Sequence, residues 1–273
     1  MLTLSSILHE RITISIAEKQ PNTMKIGLVL SGGGARGIAH LGILKALQEK
    51  NIEISGISGC SAGAIAGAMF CAGYSPDKIY EIVVSTNTLR ALRPAWSRVG
   101  LLNMKRAEEA YLKYIPHNSF EHLKIPLTIN ATNLYAGETI YFSSGELLKP
   151  IMASCCIPGL FEPIVMNNQT LLDGGILNNM PIEPLIGKYD YIIGSHCNPY
   201  GMNQIPKSMA SMVQKSLFLA INNNSKSRLG LCNFLIEPPL LKNFDPQDIR
   251  KASNIFKVGY EFAKSLSLPE NIL

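Results

Sequence analysis

The chain has 273 residues, 47% of them hydrophobic and 16% charged, which suits one sizeable domain with a real core and excludes disorder as the main theme. A net charge of +5 is mild and forms no dense basic stripe, which argues against nucleic-acid binding. The six cysteines form no CxxC, complete no zinc spacing with histidine and include the adjacent pair Cys155 and Cys156, so they read as reduced, buried thiols of a cytoplasmic protein with no metal.

In chain order, Glu10, Arg11, Glu18 and Lys19 interrupt any apolar signal region, and residues 1–23 read as an N-terminal extension. A short apolar run at 25–30 predicts a buried strand. Residues 36–50 follow as a helix, with Ile38, Leu41, Leu44 and Leu47 on one face. A strand at 52–58 and a small-residue helix at 62–73 come next. Helices are expected at 76–86 and 104–115, strands at 125–132 and 138–143, a helix at 145–154, and strands at 169–172 and 190–195. Helices at 207–222 and 245–266 close the chain. Strands alternating with helices imply an α/β fold, a mostly parallel sheet with helices on both faces, in one domain over 24–273.

Residues 54–76 hold no charge, and Gly59, Gly63 and Gly67 form overlapping GxxxG patterns, so the stretch is long enough to span a bilayer. Its glycine, alanine and serine contribute little transfer energy, and breaks near Gly56–Gly59 and at Gly73 to Pro76 interrupt it. The expectation is a soluble protein whose small residues serve tight packing.

Gly32, Gly33, Gly34 and Gly37 lie between the first strand and the first helix. A dinucleotide site would want an acid ending the second strand, but Glu53 lies at that strand's start. No Lys-Ser/Thr follows, so the loop is not a P-loop. The remaining use is an oxyanion hole, in which backbone N–H groups converge on a developing negative charge.

Gly59-Cys60-Ser61-Ala62-Gly63 is GxSxG between a predicted strand and a predicted helix, the context a nucleophile elbow requires. Serine needs a base. Of His9, His40, His117, His122 and His196, only His196 lies near a predicted strand end. His40 reads as packing or a loop brace, and His117 and His122 as part of a polar surface turn. Asp173 ends a short apolar strand and precedes Gly174 and Gly175, and is either a base or an ordinary Asp-Gly turn.

Taken together, "GGGARG", "GCSAG" and "DGG", in that order, resemble the patatin-like phospholipase family. "GIAHLGILKALQE" and "ASCCIPGLFEPI" are similar to further family blocks, as is the tail "FDPQDIRKASNIFKVGYEFA". The resemblance implies a three-layer α/β/α sandwich and a Ser61–Asp173 dyad without histidine or cofactor. It also implies an oxyanion hole from N–H groups around Gly33, Gly34 and Ala62, with Arg36 bracing the loop or adding positive potential.

Arg90, Arg93, Arg98, Lys105 and Arg106 mix with Leu92, Trp96, Leu101 and Leu102. That pattern fits a solvated loop with apolar anchors, the favoured reading, or a contact with anionic membranes at the inner surface. The expected function is a serine hydrolase of lipid acyl esters, phospholipase A or lysophospholipase in type, with a lipid or fatty-acyl ester as its partner. A general carboxylesterase or acyltransferase, a non-catalytic lipid-binding or regulatory protein on the same scaffold, and a dinucleotide enzyme are the alternatives.

Overall fold

In the computed structural model, Ile26–Leu30 is buried at every position because both faces of its sheet are covered. Residues 24–86, 93–94, 100–201 and 208–272 are described; the expected extension at 1–23 lies outside them, as do Arg90, Leu92, Trp96 and Arg98. The strands are β1 (Ile26–Leu30), β2 (Ile54–Gly59), β3 (Arg93–Pro94), β4 (Gly100–Asn103), β5 (Leu127–Asn133), β6 (Glu138–Phe142), β7 (Gly159–Phe161), β8 (Ile164–Met166), β9 (Gln169–Asp173), β10 (Tyr191–Ser195) and β11 (Phe234–Ile236). The helices are α1 (Ala39–Glu49), α2 (Ala62–Cys71), α3 (Pro76–Thr86), α4 (Lys105–Leu112), α5 (Leu148–Ser154), α6 (Gly175–Asn178), α7 (Met209–Leu229) and α8 (Ala252–Ser265).

The main sheet runs β11-β10-β1-β2-β5-β9-β8, with β6 also paired to β5. The five strands from β11 to β5 are mutually parallel; β6, β9 and β8 pair antiparallel to their neighbours. Leu28, Leu30 and Ile193 join the large core with α1 and α2, while Val29 and Ile192 pack on the other face with Met180, Ile182 and Leu185. This is an α/β fold with a mostly parallel central sheet and covered faces.

One feature of register positions the site. Gly59 of β2 pairs with Ile129 in the first half of β5, and Asp173 of β9 pairs with Ala131 in the second half. Since β6 occupies the opposite edge of β5 over 129–133, β2 and β9 share one edge and run tip to tip. Their carboxyl ends, carrying Ser61 and Asp173, therefore meet.

Most expected elements appear, with bounds shifted by a few residues. The first helix opens as a 3-10 turn over Gly34–Ile38 before α1. Asp245–Asp248 is a turn in which the Asp245 side chain accepts from the Gln247 N–H at 2.8 Å, so the last helix starts only at Ala252. Helix α7 runs past 222 to Leu229 despite three weak helix formers, Asn222 to Asn224. Asn224 Nδ2 donates to the carbonyls of Gly175 and Ile176, so tertiary bonds override propensity. Strands β8 and β11 and the small β3-β4-β7 sheet have two to four residues each, too short for a periodic signal.

Helix α2 is buried almost all round, with Ala64, Ala66 and Ala68 in the core. An all-apolar helix in a core is such an element, and no helix among the described residues is long and apolar enough to cross a membrane. Lys105 and Arg106 are exposed at the start of α4, and Leu102 is half-buried in β4.

Candidate active site

Between β2 and α2 the chain turns so sharply that Ser61 adopts φ 49° and ψ −118°, a conformation costly for a residue with a Cβ. Four hydrogen bonds hold it there. The Cys60 N–H donates to the Leu30 carbonyl at 3.1 Å. The Ser61 N–H donates to Ser154 Oγ at 2.8 Å, and its carbonyl accepts from Ala64 and Ile65 N–H. Gly63 sits against the end of β1, where a Cβ would strike the Leu30 carbonyl. Gly59 faces the Gly63 carbonyl in the same way.

Asp173 is buried, and its Oδ1 accepts from the Gly175 N–H at 2.7 Å. Ser61 lines the same cleft beside this carboxylate. Burial pushes its pKa up to about 6, against the lowering effect of the Gly175 N–H and the nearby Ser61 hydroxyl. The backbone is fixed as well: Thr132 Oγ1 donates to the Asp173 carbonyl at 2.9 Å, and the Asp173 N–H donates to the Cys156 carbonyl at 2.9 Å. Gly174 lies against Asn130, whose Nδ2 donates to the carbonyls of Gly174 and Asn178.

The glycine loop borders the same place through Gly33 and Gly34. Asn198 and Asn179 Nδ2 and Cys197 Sγ all donate to the Gly32 carbonyl. A trans peptide points its N–H opposite its carbonyl, so the Gly33 N–H faces away from these groups. The Gly33 carbonyl accepts from the Arg36 N–H at 3.2 Å, which turns the Gly34 N–H outward by the same rule. The Ser61 carbonyl points into α2, leaving the Ala62 N–H free at its first turn. Among the described residues, none of these three N–H groups has an acceptor. Gly34 has φ +57° and lies under the Pro246 carbonyl, while Gly37 packs on Ala62 and ties the loop to α2.

Gly33, Gly34, Ser61, Asp173, Asn179 and Asn198 line the polar side of one cleft, and Ile157, Pro158, Ile176, Leu217, Phe218 and Ile221 its apolar side. An ester carbonyl placed there would have a hydroxyl, a carboxylate and unpaired N–H donors beside it, with an apolar wall for a chain. Among the described residues, no cluster of three or more His, Cys, Asp or Glu is placed to hold a metal.

Arg36 is a brace. Its buried guanidinium donates to the Phe244 carbonyl at 2.7 Å and the Lys242 carbonyl at 3.5 Å, fixing the segment whose Pro246 carbonyl caps the Ala35 N–H. His40 is also a brace. Nε2–H donates to the Ser31 carbonyl at 2.9 Å, so Nδ1 accepts from the Ser195 hydroxyl at 2.7 Å. Burial lowers its pKa to about 4. His196 is buried at the end of β10 with Nδ1 on Glu237 at 2.6 Å, and does not line the cleft. His117 and His122 stack on each other at the surface.

Ser154, Asn130, Asn179 and Asn198 were not singled out in the sequence. Asn179 and Asn198 carried a weak signal, since each lies close to a motif, in "DGGILNN" and "SHCN".

The model of the family described as patatin-like phospholipase matches residues 28–186, which contain the glycine loop, Ser61 and Asp173. The chain belongs to this family. An uncharacterized NTE family protein of Mycobacterium tuberculosis is 36% identical over 165 residues, 60% of this chain and 46% of that protein. A lysophospholipase NTE1 of Kluyveromyces lactis is 29% identical over 272 residues, 87% of this chain and 19% of the relative. This patatin-like chain thus spans less than half the length of the curated relatives it matches. The crystal structure of VipD from Legionella pneumophila shares the fold, with a TM-score of 0.52 at 16% identity over 88% of this chain and 66% of that one.

Proposed function

We propose that residues 24–273 form one patatin-like domain that hydrolyses acyl esters of lipids, phospholipase A or lysophospholipase in type. The observation that carries this reading is that Ser61, the buried Asp173 and the Gly33–Gly34 loop line one half-apolar cleft, with the N–H groups of Gly33, Gly34 and the neighbouring Ala62 unpaired among the described residues. Membership of the phospholipase family and the lysophospholipase name of a fungal relative support the lipid class.

In this mechanism Asp173 accepts the Ser61 proton as the hydroxyl oxygen attacks the ester carbonyl. The oxyanion falls among the three N–H groups, each worth about 3 kcal/mol to the transition state. Asp173 passes the proton to the departing alcohol, leaving an acyl-Ser61. Water then loses a proton to Asp173 and attacks the acyl carbon; as the acyl–Oγ bond breaks, Asp173 returns that proton to Ser61 Oγ, and the fatty acid leaves. A carboxylate near its ordinary pKa is a weak base toward serine, and the upward shift to about 6 strengthens it while keeping it ionised at neutral pH.

The test is hydrolysis of a short fatty-acyl ester by the native chain, Ser61→Ala and Asp173→Asn, with folding checked by circular dichroism. Both variants should lose more than about a thousandfold in kcat while staying folded. Native-level turnover by Ser61→Ala would refute the mechanism.

A further inference from the structure

The roof of the cleft has an outer face that the hydrolytic reading leaves unexplained. Helix α7 turns Leu217, Phe218 and Ile221 toward the cleft. A helix that only covered a pocket would turn polar residues outward. Here Met209 is 84% exposed, Met212 53%, Val213 65% and Leu219 63%. Positions 209, 212, 213, 216 and 219 follow helical spacing, so Met209, Met212, Val213 and Leu219 lie on one outward face with the polar Ser216 among them. Farther along, the same face becomes polar at Asn223, Lys226 and Ser227.

Along the sequence, the charge near these residues has one sign. From 191 to 236 the sequence has no Asp or Glu, while Lys207, Lys215, Lys226 and Arg228 fall in that span. Glu183, outside the span, offsets Arg228 at 2.6 Å, and Lys226 lies over the Tyr200 ring at 4.7 Å. A second copy of the chain packed on the same face would bring like charges together. An anionic bilayer surface meets both features, since lysines attract its headgroups and the apolar side chains enter the acyl boundary.

We infer that the outward face of α7 docks the protein on anionic lipid surfaces, setting the cleft at the bilayer so that an acyl chain reaches Ser61 beneath the helix. The surface rests on the reading of the cleft as a lipid hydrolase site for its purpose, but its binding is read separately. It puts lipid contact on α7 rather than on the basic stretch at 90–106.

The test is flotation of the Ser61→Ala chain with vesicles of phosphatidylcholine alone and of phosphatidylcholine with phosphatidylglycerol. Binding should be confined to the anionic vesicles and weaken with added salt. Combining Met209→Ser, Met212→Ser, Val213→Ser and Leu219→Ser should weaken it at least ~10-fold. With Ser61 intact, the same four changes should leave hydrolysis of a short soluble ester unchanged. Leu219→Trp in a chain whose own tryptophan is removed by Trp96→Phe should show a blue-shifted emission on anionic vesicles only. Native-strength vesicle binding by the fourfold variant, or no shift from Leu219→Trp while binding persists, would overturn the proposal. So would a native dimer in sedimentation that the fourfold variant abolishes without any vesicle binding. Binding that depends on these four residues, by a chain that hydrolyses no ester, would sustain the docking surface and refute the catalytic reading instead.

Discussion

Asp173 and His40 are both buried, and in each case burial disfavours the charged form. Asp173 rises from 3.8 to about 6, so its ionisation destabilises the fold: this contribution is largest below pH 4 and is lost as pH rises through 6. His40 falls from 6.5 to about 4, so its contribution is present above pH 6.5 and is lost as pH falls through 4. Each shift corresponds to about 3 kcal/mol, and between pH 4 and 6 the two oppose each other. Asp173→Asn keeps an acceptor for the Gly175 N–H and removes the buried charge. It should raise the thermal midpoint at pH 8 by several degrees, and its stability should climb from pH 4 to 6.5 where the native chain stays nearly flat. Thermal unfolding at a series of pH values checks this, and a lower midpoint at pH 8 would contradict it. Activity has the opposite demand, since the base must be ionised. A kcat/KM profile should therefore fall below about pH 6, with the slope of a single proton.

Ser154→Ala is a second test at this scale. It leaves the Ser61 N–H unpaired in a buried site, which costs about 1–3 kcal/mol. With φ at 49° less firmly held, kcat should drop more than KM changes. Equal stability and kcat to the native chain would show that Ser154 does not position the nucleophile. Ser61 and Asp173 were legible in the sequence because their motifs are local. Ser154 and Asn198 were not, because they reach Ser61 and Gly32 across 93 and 166 residues of chain.

The turn from β2 into α2 works only because backbone meets backbone. Gly63→Ala would drive a Cβ into the Leu30 and Ser31 carbonyls, groups that cannot rotate away. Loss of soluble, folded protein is the expected outcome. Gly137→Ala, at φ +68° with open space around it, should cost only about 1 kcal/mol. Similar midpoints for the two variants in thermal unfolding would contradict the close-approach explanation. Arg36→Lys tests the neighbouring loop: an ammonium cannot reproduce the guanidinium's two directed bonds to residues 242 and 244. At this scale, the longer helices were readable from their apolar spacing. The end of α7 was not, because Asn224 is held by carbonyls of α6, a contact that no local pattern encodes.

Across the whole molecule, the site is a consequence of sheet order. Parallel β2 and antiparallel β9 share one edge of β5, which brings a serine 61 residues into the chain and an aspartate at 173 to adjacent strand ends. The alternation of strands and helices made the parallel part of the sheet readable. The antiparallel return of β9 depends on which edge β6 leaves open, and that is a tertiary outcome. We propose that this meeting point creates an activated nucleophile at Ser61. This is tested most directly by treating the native chain with a fluorophosphonate and locating the adduct by peptide mass spectrometry. One phosphonyl group on Ser61, with activity lost in proportion and labelling slowed in Asp173→Asn, is the expected result. An adduct on another residue, or full hydrolytic activity after Ser61 is quantitatively labelled, would contradict it.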